Sequence, residues 1–106
     1  MPRSRDEHRV FIVNEAKKTP FVTPKTLAVE RGDRVQFVVV GEKEKFVICP
    51  ESNVFRSIEA GEEVPASLGS PPTATVRRGV DLNSVHRYEV RTASKGSIDP
   101  ILLVHE

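Results

Sequence analysis

The chain has 106 residues, 16 Lys and Arg against 15 Asp and Glu, and a formal net charge of +1. That length fits one domain with one core, and the interspersed charges lack the clustered basic footprint that DNA or RNA binding needs. No window approaches the roughly 20 apolar residues of a membrane span, and a lone cysteine forbids an internal disulfide and fits a reducing compartment.

The first seven residues are charged and are expected to be frayed, so that the domain proper spans 8–106. The apolar run that follows is too short for the h-region of a signal peptide, which places the chain in the cytoplasm unless an exported form has lost its leader. His8 to Val13 reads as the first strand, and its continuous run Val10, Phe11, Ile12, Val13 implies burial on both faces or an edge contact. Pro20 and Pro24, which have no N–H to give to a ladder, bracket a short extended piece.

The stretch 24–40, PKTLAVERGDRVQFVVV, is the best-defined part of the chain. Leu27 and Val29 alternate on one side of a corner, and Val35, Phe37 and Val39 alternate on the other. Period-two alternation gives strands with one buried face. Gly32 and Asp33 supply the corner, because Gly accepts positive φ and Asp bonds its own backbone. Glu42 to Lys45 reads as a hairpin connection to a strand over Phe46–Cys49, stopped by Pro50. Val54, Phe55 and Ile58 leave one helical turn and an irregular loop both open for residues 51–63.

Val64 to Leu68 reads as a short strand, and Gly69 to Pro72 as irregular backbone. Thr73–Val76 alternates again, and a turn at Arg78-Gly79 leads through the loop 81–84 to a long strand over Val85–Thr92. His86, Tyr88 and Val90 share one face of that strand, with Tyr88 as a core aromatic whose hydroxyl needs a partner. Ala93 to Ser97 forms a small-residue loop, and Pro100–His105 is a final strand so apolar that it reads as central or covered on both sides. Seven to nine short strands at this spacing make an all-β sandwich or barrel. The expected core combines Val35, Phe37, Val39, Tyr88, Val90 and Leu103.

Pro24, Leu27, Val29, Gly32, Asp33, Val35 and Phe37, followed by Tyr88, Val90 and a closing strand at 98–104, resemble the cupredoxin family over about 80 residues. The resemblance implies a Greek-key antiparallel β-sandwich. It also implies a copper ion held by a His after the early strand pair and by Cys, His and usually Met in the loop before the last strand. That ligand set is missing. No His lies between Val39 and Lys45, Thr92 stands where the Cys would, the loop ASKGSIDP has neither His nor Met, and the sole Met is Met1. A fold does not carry its chemistry without the residues that perform it.

The remaining soft-metal ligands are Cys49, His8, His86 and His105. They are dispersed in sequence, and they offer a non-family metal or redox site only if strand ends gather them. Cys49 reads first as a small buried hydrophobe. Asp33 reads as a turn former, and no nucleophile–base motif is present. The expectation is therefore a copper-less cupredoxin-like binding or interaction module that is not an enzyme. It would hold no cofactor, bind no nucleic acid or membrane, be monomeric or weakly oligomeric, and take a protein partner. The alternative is a redox or metal-handling protein built on Cys49 and the histidines.

Overall fold

A computed structural model describes residues 6–105, and every regular element among them is a strand. The ten strands are β1 (Glu7–Asn14), β2 (Phe21–Thr23), β3 (Thr26–Val29), β4 (Arg34–Gly41), β5 (Phe46–Pro50), β6 (Val64–Ala66), β7 (Thr73–Thr75), β8 (Ser84–Thr92), β9 (Gly96–Ile98) and β10 (Ile101–Val104). They form two packed sheets, one ordered β2-β1-β4-β7 and the other β3-β10-β8-β5-β6 with β9 also on β8. Most pairs are antiparallel, as expected, while β1–β4 and β3–β10 are parallel. Among the described residues no helix is long and apolar enough to cross a membrane.

The Gly-Asp corner does what its residues dictate. Gly32 takes φ +86° and Asp33 N–H closes a turn on the Glu30 carbonyl at 3.1 Å. The chain thereby leaves β3 in one sheet and enters β4 in the other. Gly32 and Val76 N–H groups then tie the corner to the strand end beyond β7, at 3.0 and 2.8 Å. The segment 42–45 is likewise a crossover and not a hairpin, since β4 and β5 lie in different sheets. Local sequence marks the reversal of direction in both cases, but only tertiary packing decides whether the next strand pairs with the last.

Val35, Phe37 and Val39 face inward, as do Tyr88 and Val90. Phe37 meets Phe55 with ring centroids 6.1 Å apart and Tyr88 at 5.5 Å, both edge to face, and so joins the two sheets. Leu103 does not belong to this core. Leu102 and Val104 are buried and Leu103 faces outward, and the strand ILLV itself has no polar residue to fix its parity. Cys49 is similarly displaced: Phe46, Ile48 and Pro50 are buried, and Cys49 is half-buried on the outer side.

Residues 51–63 form an irregular loop pinned by a bridge between Phe55 and Val76. The expected loop 93–97 shrinks to a turn over 93–95, because Gly96–Ile98 pairs back onto β8 as β9. The frayed segment expected over 1–7 falls, for 1–5, outside the described residues. Glu7 already belongs to β1, and Asp6 O accepts the Arg34 N–H at 3.0 Å.

Candidate functional site

The end of the sandwich where copper ligands were sought is built from the ends of β1 and β4 and the β8–β9 turn. Asn14 and Gly41 stand opposite each other in the parallel β1–β4 ladder. Asn14 is fully buried, and its Nδ2 donates to the Glu42 carbonyl at 3.1 Å. Its Oδ1 accepts Lys95 Nζ at 2.7 Å, and the same ammonium reaches the Glu15 carbonyl at 3.2 Å. Beside this pair, Glu44 accepts hydrogen bonds from Thr92 Oγ1 and from Ser94 Oγ. The Ser94 and Thr92 hydroxyls, aided by the Lys95 charge, hold the Glu44 carboxyl below its usual range.

The donors gathered here are hydroxyls, an amide, a carboxylate and an ammonium. A blue-copper centre needs a thiolate and imidazoles, and this end has neither. The residues do not fit that metal. Thr92, where the sequence resemblance would put a cysteine, spends its hydroxyl on Glu44, with the Lys45 carbonyl also within reach at 3.1 Å. Hydrogen bonds from side chains hold this corner together.

The four soft ligands are not gathered into one site. His8 and buried Asp33 pair at the opposite end, Nε2 to Oδ2 at 2.9 Å, where β1 and β4 begin. Asp33 also accepts the Glu30 N–H at 2.9 Å and the Asp6 N–H at 3.3 Å. Burial alone would raise its carboxyl pKa, but the His8 and backbone hydrogen bonds outweigh burial and lower it. Asp6, His8 and Asp33 are the one group of three possible metal ligands close enough to share an ion among the described residues. Cys49, His86 and His105 join no such group.

His86 is half-buried and bonded to serines, not to Tyr88. Ser84 Oγ donates its one proton to the Asp81 carbonyl at 2.6 Å, so it can only accept from His86 Nε2 at 2.7 Å. In the neutral ring Nδ1 then accepts from Ser52 Oγ at 2.6 Å, and the proton sits on Nε2. Burial lowers the imidazole pKa, with Asp81 opposing weakly. The Tyr88 hydroxyl, expected to find a partner, is buried without one among the described residues. His105 is exposed just past β10, its N–H on the Val29 carbonyl at 3.0 Å.

Sequence reasoning missed the Glu44–Thr92–Ser94 and Asn14–Lys95 contacts, which join residues with no shared local pattern. It also missed a feature of the outer face of the four-stranded sheet. Phe21, Val13 and Val40 form one row across β2, β1 and β4, and Thr23, Phe11 and Val38 form the next. Phe21 is 50% exposed and Phe11 37%. The signal was present in the continuous runs VFIV and FVVV, which predict two covered faces where the chain itself covers only one.

No protein-family model matches the chain, and no curated protein matches it in sequence. Solved structures match its shape. A reduced Cu(I) form of an amicyanin variant superposes with TM-score 0.63 at 15% identity, over 99% of this chain and 86% of the amicyanin. A pseudoazurin from Sinorhizobium gives 0.59 at 17% identity, over 95% of this chain and 75% of that one. A copper nitrite reductase from Nitrosomonas europaea gives 0.54 at 14% identity, over 96% of this chain and 42% of the enzyme. The fold is a cupredoxin-type β-sandwich, and the Cys, His, His and Met copper ligand motif is absent from it.

Proposed function

We propose that this chain is a copper-free cupredoxin-type domain that works as a protein-binding module. The observation that carries the reading is the pair of apolar rows Phe21–Val13–Val40 and Phe11–Val38 on the outside of the four-stranded sheet. Single exposed apolar residues are ordinary, whereas a contiguous set spanning three strands is the usual mark of a surface covered by another protein. A pleated face is broad and shallow, which suits a protein surface and not a small ligand. Two aromatic anchors within it are the residue type that dominates binding energy. The occupant is a different protein with an apolar contact surface; the chain itself is a monomer or weak oligomer and binds no nucleic acid.

Two of the structures of similar shape are described as copper proteins, and that chemistry does not come across. Its place is taken by the Glu44–Thr92–Ser94 and Asn14–Lys95 contacts. A photo-reactive residue at position 21, used in the native cell, should give one defined adduct with another protein. Phe11→Asp should abolish that adduct while leaving the folded state intact by circular dichroism. A probe at Val85, which is 62% exposed on the other sheet, serves as control. The same adduct from Val85, or adducts of this chain with itself alone, would overturn the reading.

A further inference from the structure

We infer that a pocket walled by Arg56, Arg77 and Arg78 is a binding site for a diphosphate group of a small-molecule ligand. The pocket holds about 260 Å³ and is lined by Arg56, Thr75, Val76, Arg77, Arg78 and Gly79. No carboxylate lines it. It forms because the irregular loop 51–63 pairs with the strand end beyond β7. The Phe55–Val76 bridge sets the register, Arg56 N–H donates to the Thr75 carbonyl at 2.7 Å, and Arg77 N–H donates to the Val54 carbonyl at 2.8 Å. With Phe55 and Val76 both buried inward, Arg56, Thr75 and Arg77 fall on the outer side of this pairing.

Charge and satisfaction both point to an anion. The sequence has 15 Asp and Glu for 16 Lys and Arg, yet none of these three guanidiniums has an ion-pair partner among the described residues. By contrast, Arg91 and Arg34 on the other surfaces are paired with carboxylates. Three arginines border one concavity, and a guanidinium fork is the side chain best suited to bidentate bonds with a multiply charged oxyanion. The turn adds further donors: Val80 N–H closes on the Arg77 carbonyl at 3.4 Å, while the intervening Arg78 and Gly79 amides have no intramolecular acceptor among the described residues. Free amides at such a turn are the usual backbone complement to an oxyanion. The fourth nearby arginine, Arg31, buttresses the turn from behind, Nε to the Val80 carbonyl at 2.7 Å.

Size selects the ligand. Pockets that enclose whole small molecules run to roughly 300–1,000 Å³, so this one takes the charged end of a ligand and leaves the remainder in solvent. Three positive charges match a diphosphate better than a single phosphate. Isolated arginines without an extended basic stripe do not make a nucleic-acid track.

The test is titration of the full chain with inorganic pyrophosphate at constant ionic strength, followed by amide resonances. Saturable shifts confined to residues 54–57 and 75–80, with affinity at least about tenfold above sulfate, are the expected result. Arg77→Gln with Arg78→Gln should weaken binding about tenfold or more, and Arg78→Lys should weaken it less, since charge survives and the fork does not. The spectrum of each variant away from the pocket confirms that it is folded. Non-saturating shifts, shifts spread over Lys17, Lys43 and Lys95, or undiminished binding by the double variant would overturn the inference. So would a single-stranded oligonucleotide that binds more tightly than pyrophosphate.

Discussion

Replacing Tyr88 by Phe isolates one buried oxygen. Tyr88 is 1% exposed, its ring packs edge to face on Phe37 at 5.5 Å, and its hydroxyl has no hydrogen-bond partner among the described residues. Burial raises its pKa with no other cause, which agrees with a hydroxyl that nothing polar addresses. An unsatisfied buried polar group costs about 1–3 kcal/mol. The variant keeps the ring and its contacts, and loses an atom smaller than a methyl group, a void worth at most about 1 kcal/mol. The difference predicts a gain of about 0–3 kcal/mol, each kcal/mol raising Tm by about 4–8 °C for a domain of this size. Urea unfolding of both proteins at neutral pH, compared at equal m, measures it. A loss of more than about 1 kcal/mol would show that the hydroxyl is bonded in solution and that the core around β8 is described wrongly.

Phe37→Ala removes a side chain that joins the two sheets and meets two other rings; it should cost roughly 3–5 kcal/mol by urea unfolding, and less than about 1 kcal/mol would break the register. Gly41→Ala and Gly96→Ala should differ sharply in Tm although both glycines have positive φ. A Cβ at 41 would collide with the Asn14 carbonyl, whereas at 96 it would meet nothing within 4 Å. Equal losses would contradict this. His86 has a lowered pKa in the folded state, so the folded protein binds that proton less well than the unfolded chain. Its contribution is present above the unfolded value near 6.5 and is lost as pH falls through the folded value. Wild type minus His86→Gln should therefore decline in stability from about pH 7 to 5, no more steeply than about 1.4 kcal/mol per pH unit for one proton. A flat or rising difference would refute the lowered folded-state pKa.

Alternation told the truth where polar residues interrupt it. RVQFVVV has Gln36 to set the parity, and Val35, Phe37 and Val39 turned inward as expected. In FVIC and ILLV nothing polar distinguishes the two faces, and Cys49 and Leu103 were put on the wrong side. The Asp33 turn was legible because Asp and Gly act within a few residues. Its pairing with His8 was not, because that contact requires β1 and β4 to lie in parallel register. The arginine pocket is illegible for the same reason: Arg56 reaches Arg77 only through the Phe55–Val76 bridge. Absent copper ligands, by contrast, could be read directly, since a missing side chain needs no tertiary information.

The central claim is that a cupredoxin-type sandwich here keeps its shape with hydrogen bonds in place of copper chemistry. It is tested most directly by adding one equivalent of Cu(II) to the protein and recording its visible spectrum with and without Cys49→Ser. Mere uptake decides nothing, since Cu(II) stands at the top of the affinity order and binds many surface groups. A colourless or weakly absorbing adduct that the substitution leaves unchanged is expected, because Cys49 lies mid-strand on β5 opposite Glu89 and joins no group of three possible metal ligands among the described residues. An intense visible thiolate band that disappears in the variant would contradict it.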